Sequence, residues 1–329
     1  MKESFMASLF SHLSARKEVS PLDIMKLLNA MPGAVSQGVI WGLMAIGLYI
    51  TYKVLDFSDL TVDGSIATGG AVAAVLITSG VDAWVAVCVA FLVGMLAGLC
   101  TGVAHTCMGI PAILSGILTQ LALYSVNLRI MSNKANLAVS VTKYDLIVSS
   151  RNVRQLTLDN PLVILVIMTI LLIAVLYIFF GTEYGCSLRA TGANANMARA
   201  QGINTNMAKV VGLMIANGIV SMAGAMLTQY QGFADVGMGR GAIVIGLASI
   251  IIGEVVFSKI FHNFALKLLA VSIGAIIYYM VIQVVLWLGL NTNDLKMLTA
   301  VVVALFLAIP FWKSKMYTMR AGKEDKANA

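Results

Sequence analysis

The chain has 329 residues, of which 59% are hydrophobic and 11% are charged, and its formal net charge is +7. This composition excludes an ordinary soluble domain, in which about a quarter of the residues are charged. The basic residues lie at the margins of long apolar runs, where they orient a chain in a membrane, so the positive charge does not indicate a nucleic-acid partner. The sequence predicts an all-α, polytopic membrane protein.

Apolar runs of about 20 residues, the length that crosses a hydrocarbon core, recur along the chain. None of them alternates with a period of two, so they predict helices and not strands. Together with a shorter Gly- and Ala-rich piece at 66–80, they give about eight to ten transmembrane or re-entrant helices. The runs lie at 34–54, 83–104, 112–131, 160–181, 206–230, 240–257, 264–289 and 295–312.

The two ends of the chain lie outside this transmembrane domain of residues 34–312. Residues 1–33 lack the compact apolar segment of a cleaved signal peptide. They predict a retained extension, either a short amphipathic helix on an anionic leaflet or a frayed polar segment. Residues 313–329 form a basic tail. Because Lys and Arg are concentrated at both ends, we expect both termini in the cytoplasm.

The number of crossings must agree with this orientation. Five elements separate the N-terminus from a polar stretch at 183–205 that we also expect in the cytoplasm, yet an even number is needed. The shortest element, 66–80, follows an acidic loop, so we expect a half-helix that returns to the side from which it entered. The segment 132–159 is then external, although its basic residues oppose that placement.

Two irregular stretches resemble each other. "DFSDLTVDGSIATGGAVAAVLI" at 56–77 and "GFADVGMGRGAIVIGLASIIIG" at 232–253 share Phe-x-Asp, then glycines, then a small-residue apolar segment. Paired interruptions of this kind predict an internal repeat whose broken helices meet at a transport pathway. The alternative is that the glycines serve only close helix packing.

The acidic residues of these stretches require an explanation, because placing a carboxylate between apolar membrane elements costs free energy. We expect Asp63 to cap the half-helix that starts near Gly64, and Asp56 and Asp59 to face the external mouth of the pathway. Asp235, in the second stretch, is a candidate for the same pathway role. The alternative is that all of them are turn and cap residues in solvated loops.

Catalytic chemistry is not predicted in this chain. His12, His105 and His262 lie far apart and have no metal-ligand spacing. The sequence contains neither a GxSxG nucleophile motif nor a GxxxxGK[ST] phosphate loop. We therefore expect no catalytic residue, no metal and no cofactor in this chain.

The polar stretch between two apolar runs predicts a helical insertion exposed in the cytoplasm and suited to docking another protein. From the residues alone, an ordinary loop with snorkelling arginines is the alternative. Its sequence, "EYGCSLRATGANANMARAQGIN", resembles the cytoplasmic coupling segment of ABC-importer permeases of the branched-chain amino acid and ribose type. The positions that carry the resemblance, and so imply contact with an ATPase subunit, are Glu183, Gly185, Arg189, Ala190, Gly192, Asn194, Arg199, Gly202 and Ile203.

The resemblance continues through residues 221–254. Within that superfamily, "LDFSDLTVDGS", "GIPAILSGILT" and "LYSVNLRIM" are similar to a narrower group, the permeases of tryptophan or tyrosine ABC transporters. The resemblance implies an aromatic amino acid as substrate, with Tyr124 and Asn127 as wall residues and Arg129 attractive to a carboxylate. The alternatives are a sugar, a nucleoside, a branched-chain amino acid or, in another class, an ion-coupled secondary transporter. Tyr124 also fits a membrane-belt aromatic.

The same resemblance implies the partners. Two permease copies form the pathway in a bacterial cytoplasmic membrane, two ABC ATPase subunits bind ATP and Mg, and an extracytoplasmic solute-binding protein delivers the substrate. Small residues in "GGAVAAVLITSG" and "FLVGMLAGLCTG" predict either the interface between the two copies or close packing within one protomer.

Overall fold

The computed structural model describes residues 21–152, 160–257, 260–261 and 263–287, with positions 297, 300, 301, 303, 304 and 308. A π-helical turn, Ile50–Val54, extends α1, and a 3₁₀ turn covers Ser150–Asn152. The elements are α1 Pro21–Tyr49, α2 Val62–Thr78, α3 Ala83–Thr106, α4 Ala112–Ile130, β1 Asn136–Ala138, α5 Pro161–Gly181, α6 Glu183–Ala193, α7 Ala195–Ala200, α8 Thr205–Gln231, β2 Phe233–Asp235, α9 Ala242–Phe257 and α10 Phe264–Trp287.

Six helices of the described part are long and apolar enough to cross a membrane: α1, α3, α4, α5, α8 and α10. This confirms the predicted polytopic all-α fold. The shorter apolar helices are α2 and α9. The first 20 residues of the expected extension, most of the run at 295–312 and the whole basic tail lie outside the described residues.

Helix α8 lies at the centre of the bundle, where small residues let its neighbours approach closely. Gly69 of α2 lies against the backbone of Ser221, and Gly94 and Gly98 of α3 lie against the backbone of Asn217 and Leu213. A Cβ at any of the three would collide with α8. These three glycines of the two stretches considered for a dimer interface therefore serve packing within one protomer.

The bundle has two ends, which we name after the elements they carry. At the α6 face, Gly192 of α6 lies against the backbone of Val54, at the end of the turn that extends α1. At the β face, β1 and β2 pair antiparallel, and the Tyr230 hydroxyl donates a hydrogen bond to the Gly33 carbonyl of α1 (3.2 Å). Helix α1 therefore crosses the whole bundle.

The chain then returns in two pieces. Residues 55–61 run irregularly from the α6 face into the middle of the bundle, and α2 continues to the β face, where the Tyr144 hydroxyl donates to the Thr78 carbonyl (3.1 Å). The expectation that 66–80 returns to the side it entered is wrong, because the irregular segment supplies the other half of the crossing. All five elements cross, so residue 21 and α6 lie at opposite faces. Residues 1–20 lie outside the described residues, so the expected cytoplasmic location of the N-terminus stays a prediction.

Helix α9 completes the second broken crossing in the opposite direction. Residues 236–241 lead from the β face to the middle, and α9 continues to the α6 face. There the Glu254 carboxylate pairs with the Lys53 ammonium group (3.0 Å). The two stretches that the sequence pairs are both broken, and their half-helices start at the same depth.

Candidate functional site

The N-termini of α2 and α9 meet in the middle of the bundle. The carboxylate of Asp63, in the first turn of α2, accepts hydrogen bonds from the backbone N–H groups of Gly241 and Ile243 (both 3.0 Å). Gly239 lies so close to the Asp63 carbonyl that a Cβ would collide with it. Asp63 therefore caps the facing half-helix, α9, and the expectation that it caps its own half-helix is wrong.

Asp59 fastens the irregular segment to the centre of the bundle. Its Oδ1 accepts a hydrogen bond from the Thr61 backbone N–H (2.9 Å), and its Oδ2 accepts one from the Asn217 side chain (2.7 Å). The Asn217 Oδ1 in turn accepts a hydrogen bond from the Ser65 hydroxyl (2.6 Å). Because Asp59 is buried within this network, it does not face an external mouth as expected.

The sequence-based selection of site residues did not include Asn217. A signal was present, since an amide in the middle of the apolar run at 206–230 needs a partner when it is buried in a membrane helix. Its partners lie on α2 and on the segment before α2, which are far away in sequence.

A cavity of about 280 Å³ opens beside this junction, between α2, α4 and the segment before α9. Asn127 is 1% exposed, and both polar atoms of its side chain lack a hydrogen-bond partner among the described residues. Tyr124 lies at the rim and is 43% exposed. Unpaired buried amide atoms are costly, and a polar molecule in the cavity would supply their partners. The lining residues are Asp63, Gly64, Ala67, Gln120, Leu121, Tyr124, Asn127, Val236 and Arg240.

The structure brings three of the predicted pathway residues together, since Asp63, Tyr124 and Asn127 share this cavity. Arg129 is exposed near the end of α4 and does not line it; the cation at the cavity is Arg240. Asp235 accepts a hydrogen bond from the Gly237 N–H (2.6 Å) in the turn after β2.

Asp56 was expected at the external mouth and lies instead near the α6 face. It follows Leu55, whose backbone lies beside Gly192 of α6. Its side chain is exposed, and its backbone is left-handed (φ 51°) where the chain turns from α1 into the irregular segment. Asp56 is therefore on the opposite side of the bundle from β1 and β2.

The polar stretch folds as two short capped helices. The Thr182 hydroxyl accepts a hydrogen bond from the Gly185 N–H (3.4 Å) at the start of α6. The Asn194 side chain accepts hydrogen bonds from two backbone N–H groups at the start of α7 (3.1 and 3.0 Å). Gly202 adopts φ +83° in the turn before α8, a conformation that glycine tolerates best. These caps explain why a polar segment of this length has a defined shape.

The inner side of this segment is wedged into the bundle. Gly185 lies against the Phe180 backbone and Gly192 against Val54, with no room for a Cβ at either glycine. The Arg189 guanidinium lies 4.4 Å from the centre of the Phe264 ring, a cation–π contact that ties α6 to α10. Arg189 therefore has an inward contact, unlike the outward contact expected of a docking residue.

The remaining predicted positions follow along the same segment. Glu183 begins α6, Ala190 lies in its last half, and Ile203 lies between α7 and α8. The Arg199 side chain donates a hydrogen bond to the Thr205 hydroxyl (2.8 Å) and so joins α7 to the start of α8.

The outer side of the segment presents apolar side chains. Tyr184 of α6 and Met197 of α7 are 72% and 64% exposed, and Met207, at the adjoining start of α8, is 57% exposed. Exposed apolar side chains on a polar, capped segment are typical of a protein-binding surface.

Comparisons with known proteins give matches over most of the chain. The model of the family described as branched-chain amino acid transport system, permease component, matches residues 31–310. A tyrosine transport system permease protein of Clostridioides difficile (strain R20291) is 37% identical over 281 residues, 85% of this chain and 91% of that protein. An uncharacterized protein of Rickettsia prowazekii (strain Madrid E) is 32% identical over 283 residues, 85% of this chain and 98% of that protein. No solved structure matches.

Proposed function

The chain belongs to the family of branched-chain amino acid transport system permease components, and from this premise we propose that it is the membrane subunit of an ATP-driven ABC importer for an aromatic amino acid. The observation that carries the importer proposal is the surface of α6 and α7. Two exposed apolar side chains there, Tyr184 and Met197, lie on a capped segment whose inner glycines pack directly against the bundle. Such a surface suits contact with an ATPase subunit whose movement would be transmitted to the permease.

The contacts of α6 suggest how a push would reach the centre. Gly192 lies against Val54 and Leu55, which begin the irregular segment that leads to Asp59 and then to Asp63. A displacement of α6 would therefore move the segment that holds the two half-helices together. Transitions of this kind switch a pathway between two access states by rigid movement of packed elements.

An aromatic amino acid fits the cavity at the junction. Asn127 offers an unpaired amide, Arg240 offers a cation for the substrate carboxylate, and Tyr124 offers an aromatic surface at the rim. The tyrosine permease of C. difficile, at 37% identity, supports the same substrate class.

The proposal includes three partners. ATP and Mg would bind to a separate ATPase subunit, because this chain has no GxxxxGK[ST] loop. An extracytoplasmic binding protein would deliver the substrate, and a second copy of the chain would complete the pathway. Helix α4 is the least apolar of the six candidate spans and is largely exposed, which suits a surface that faces the second copy.

Reconstitution tests the function. The chain is placed in proteoliposomes with a candidate ATPase subunit and a candidate binding protein, and uptake of labelled tyrosine, tryptophan, phenylalanine and leucine is measured with ATP on the ATPase side. We expect uptake of an aromatic amino acid that requires all three proteins. Preferred uptake of leucine would refute the substrate class. Uptake by the chain alone, driven by a proton or sodium gradient, would refute the importer.

A further inference from the structure

A second and larger cavity lies at the α6 face, away from the junction. Its volume is about 960 Å³, and its walls come from α1, α5, α6 and α10. The polar part is basic, with Lys53, Arg189 and Lys267 among its lining residues. Glu254 pairs with Lys53 but does not line the cavity, so the group keeps an excess of two positive charges.

These cations are available to an anion. Lys267 is exposed, and the Arg189 side chain makes no ion pair or hydrogen bond with any of the described residues. The Arg189 guanidinium lies near the Phe264 and Phe180 rings, 4.4 and 5.4 Å from their centres, and these ring contacts do not pair its N–H groups with an acceptor. Two cationic side chains from different helices, α6 and α10, thus line one cavity.

The part of the cavity wall formed by the end of α5 is apolar. Tyr177 and Ile178 line it at the end of α5 and are 48% and 70% exposed. Helix α5 is the most apolar of the six spans, and its exposed side chains recur at helical spacing from Val163 to Ile178. An apolar stripe that spans the membrane therefore ends at a basic cavity.

We propose that this cavity binds the phosphate headgroup of an anionic phospholipid, whose acyl chains lie along the exposed stripe of α5. Basic pockets between membrane helices at the cytoplasmic side bind such headgroups. The volume is within the range of small-molecule sites. The apolar wall favours a lipid over a soluble phosphate compound, because a soluble anion gains nothing from Tyr177 and Ile178. Since Arg189 belongs to α6, a bound lipid would hold α6 against α10.

The proposal is independent of the transported substrate and is tested by lipid binding to the purified full chain. Native mass spectrometry measures the dissociation constants of phosphatidylglycerol and of phosphatidylcholine with the same acyl chains. We expect phosphatidylglycerol to bind at least about ten-fold more tightly. In Lys267→Gln and in Arg189→Gln, we expect its binding to be weakened about five-fold each, the effect of one cation at a membrane surface.

Lys209→Gln is the matched control, because Lys209 lies near the same face, beside His105, and does not line the cavity. A monodisperse elution profile shows that each variant is folded; if Arg189→Gln fails this check, Lys267→Gln alone decides. Equal binding of the two lipids, or an equal loss in Lys209→Gln, would overturn the proposal. Displacement of phosphatidylglycerol by millimolar inorganic phosphate would assign the cavity to a soluble anion and overturn the lipid assignment.

Discussion

Replacing Asp63 by Ala removes the only side chain of the described residues that hydrogen-bonds to the N-terminus of α9. The carboxylate accepts two backbone hydrogen bonds there, from Gly241 and Ile243. Each hydrogen bond to a charged group contributes about 1.5 kcal/mol, so the substitution costs about 3 kcal/mol of folding free energy. Asp63→Asn keeps one neutral acceptor oxygen for one of the two N–H groups and loses the other hydrogen bond, so it costs about half of that.

The assay combines stability with transport. Unfolding is followed by SDS titration in mixed micelles, and uptake is measured in the reconstituted system. Because Asp63 joins the two half-helices, we expect Asp63→Ala to lose uptake at least about ten-fold while the protein still inserts, with Asp63→Asn in between.

Asp82→Ala is the control for this experiment. Asp82 caps α3 with hydrogen bonds to the Trp84 and Val85 N–H groups, in an exposed turn near the β face. Its loss costs about 1 kcal/mol, as for other exposed N-caps, and we expect uptake to be retained. Wild-type uptake and stability in Asp63→Ala, or an equal loss of uptake in Asp82→Ala, would refute the reasoning.

Four further outcomes are expected. Asn217→Leu removes the side-chain donor to Asp59 Oδ2 and leaves Thr61 as the hydrogen-bond partner of this buried carboxylate, so it should cost about 3 kcal/mol of stability. Asp59→Asn should restore part of that loss in the double variant, and additive effects of the two substitutions would contradict the network. Asn127→Leu removes an amide that has no partner among the described residues, so the stability should stay equal or rise by about 1 kcal/mol while uptake falls. Unchanged uptake would exclude Asn127 from the pathway. Gly192→Ala forces α6 away from Val54 and should uncouple ATP hydrolysis from uptake, whereas Gly181→Ala, with open space around it, should not. Equal behaviour of the two variants would refute the transmission of movement from α6 to the irregular segment. Met197→Asp should lower co-purification of the ATPase subunit, whereas Met25→Asp, at an exposed position near the other end of the chain, should not. Unchanged co-purification in Met197→Asp would exclude α7 from the docking surface.

The sequence alone determined the class of the protein and the position of its irregular segments. Long apolar runs can satisfy their backbone hydrogen bonds in lipid only as helices, so composition and run length predict an all-α membrane bundle without further information. Interruptions by Asp and Gly likewise located the two broken helices at 56–77 and 232–253. These features are local, and each can be inferred from a stretch of about 20 residues.

Tertiary structure decided which partner each polar residue has and which way each piece crosses. Asp63 lies next to Gly64 in sequence, yet its carboxylate caps α9, whose first residue is Ala242. Whether residues 55–78 return or cross depends on the path of the irregular part 55–61, which has no periodicity to indicate it. Hydrogen bonds such as that between Asp59 and Asn217 join positions far apart in the chain, and only packing of the whole bundle brings them within reach.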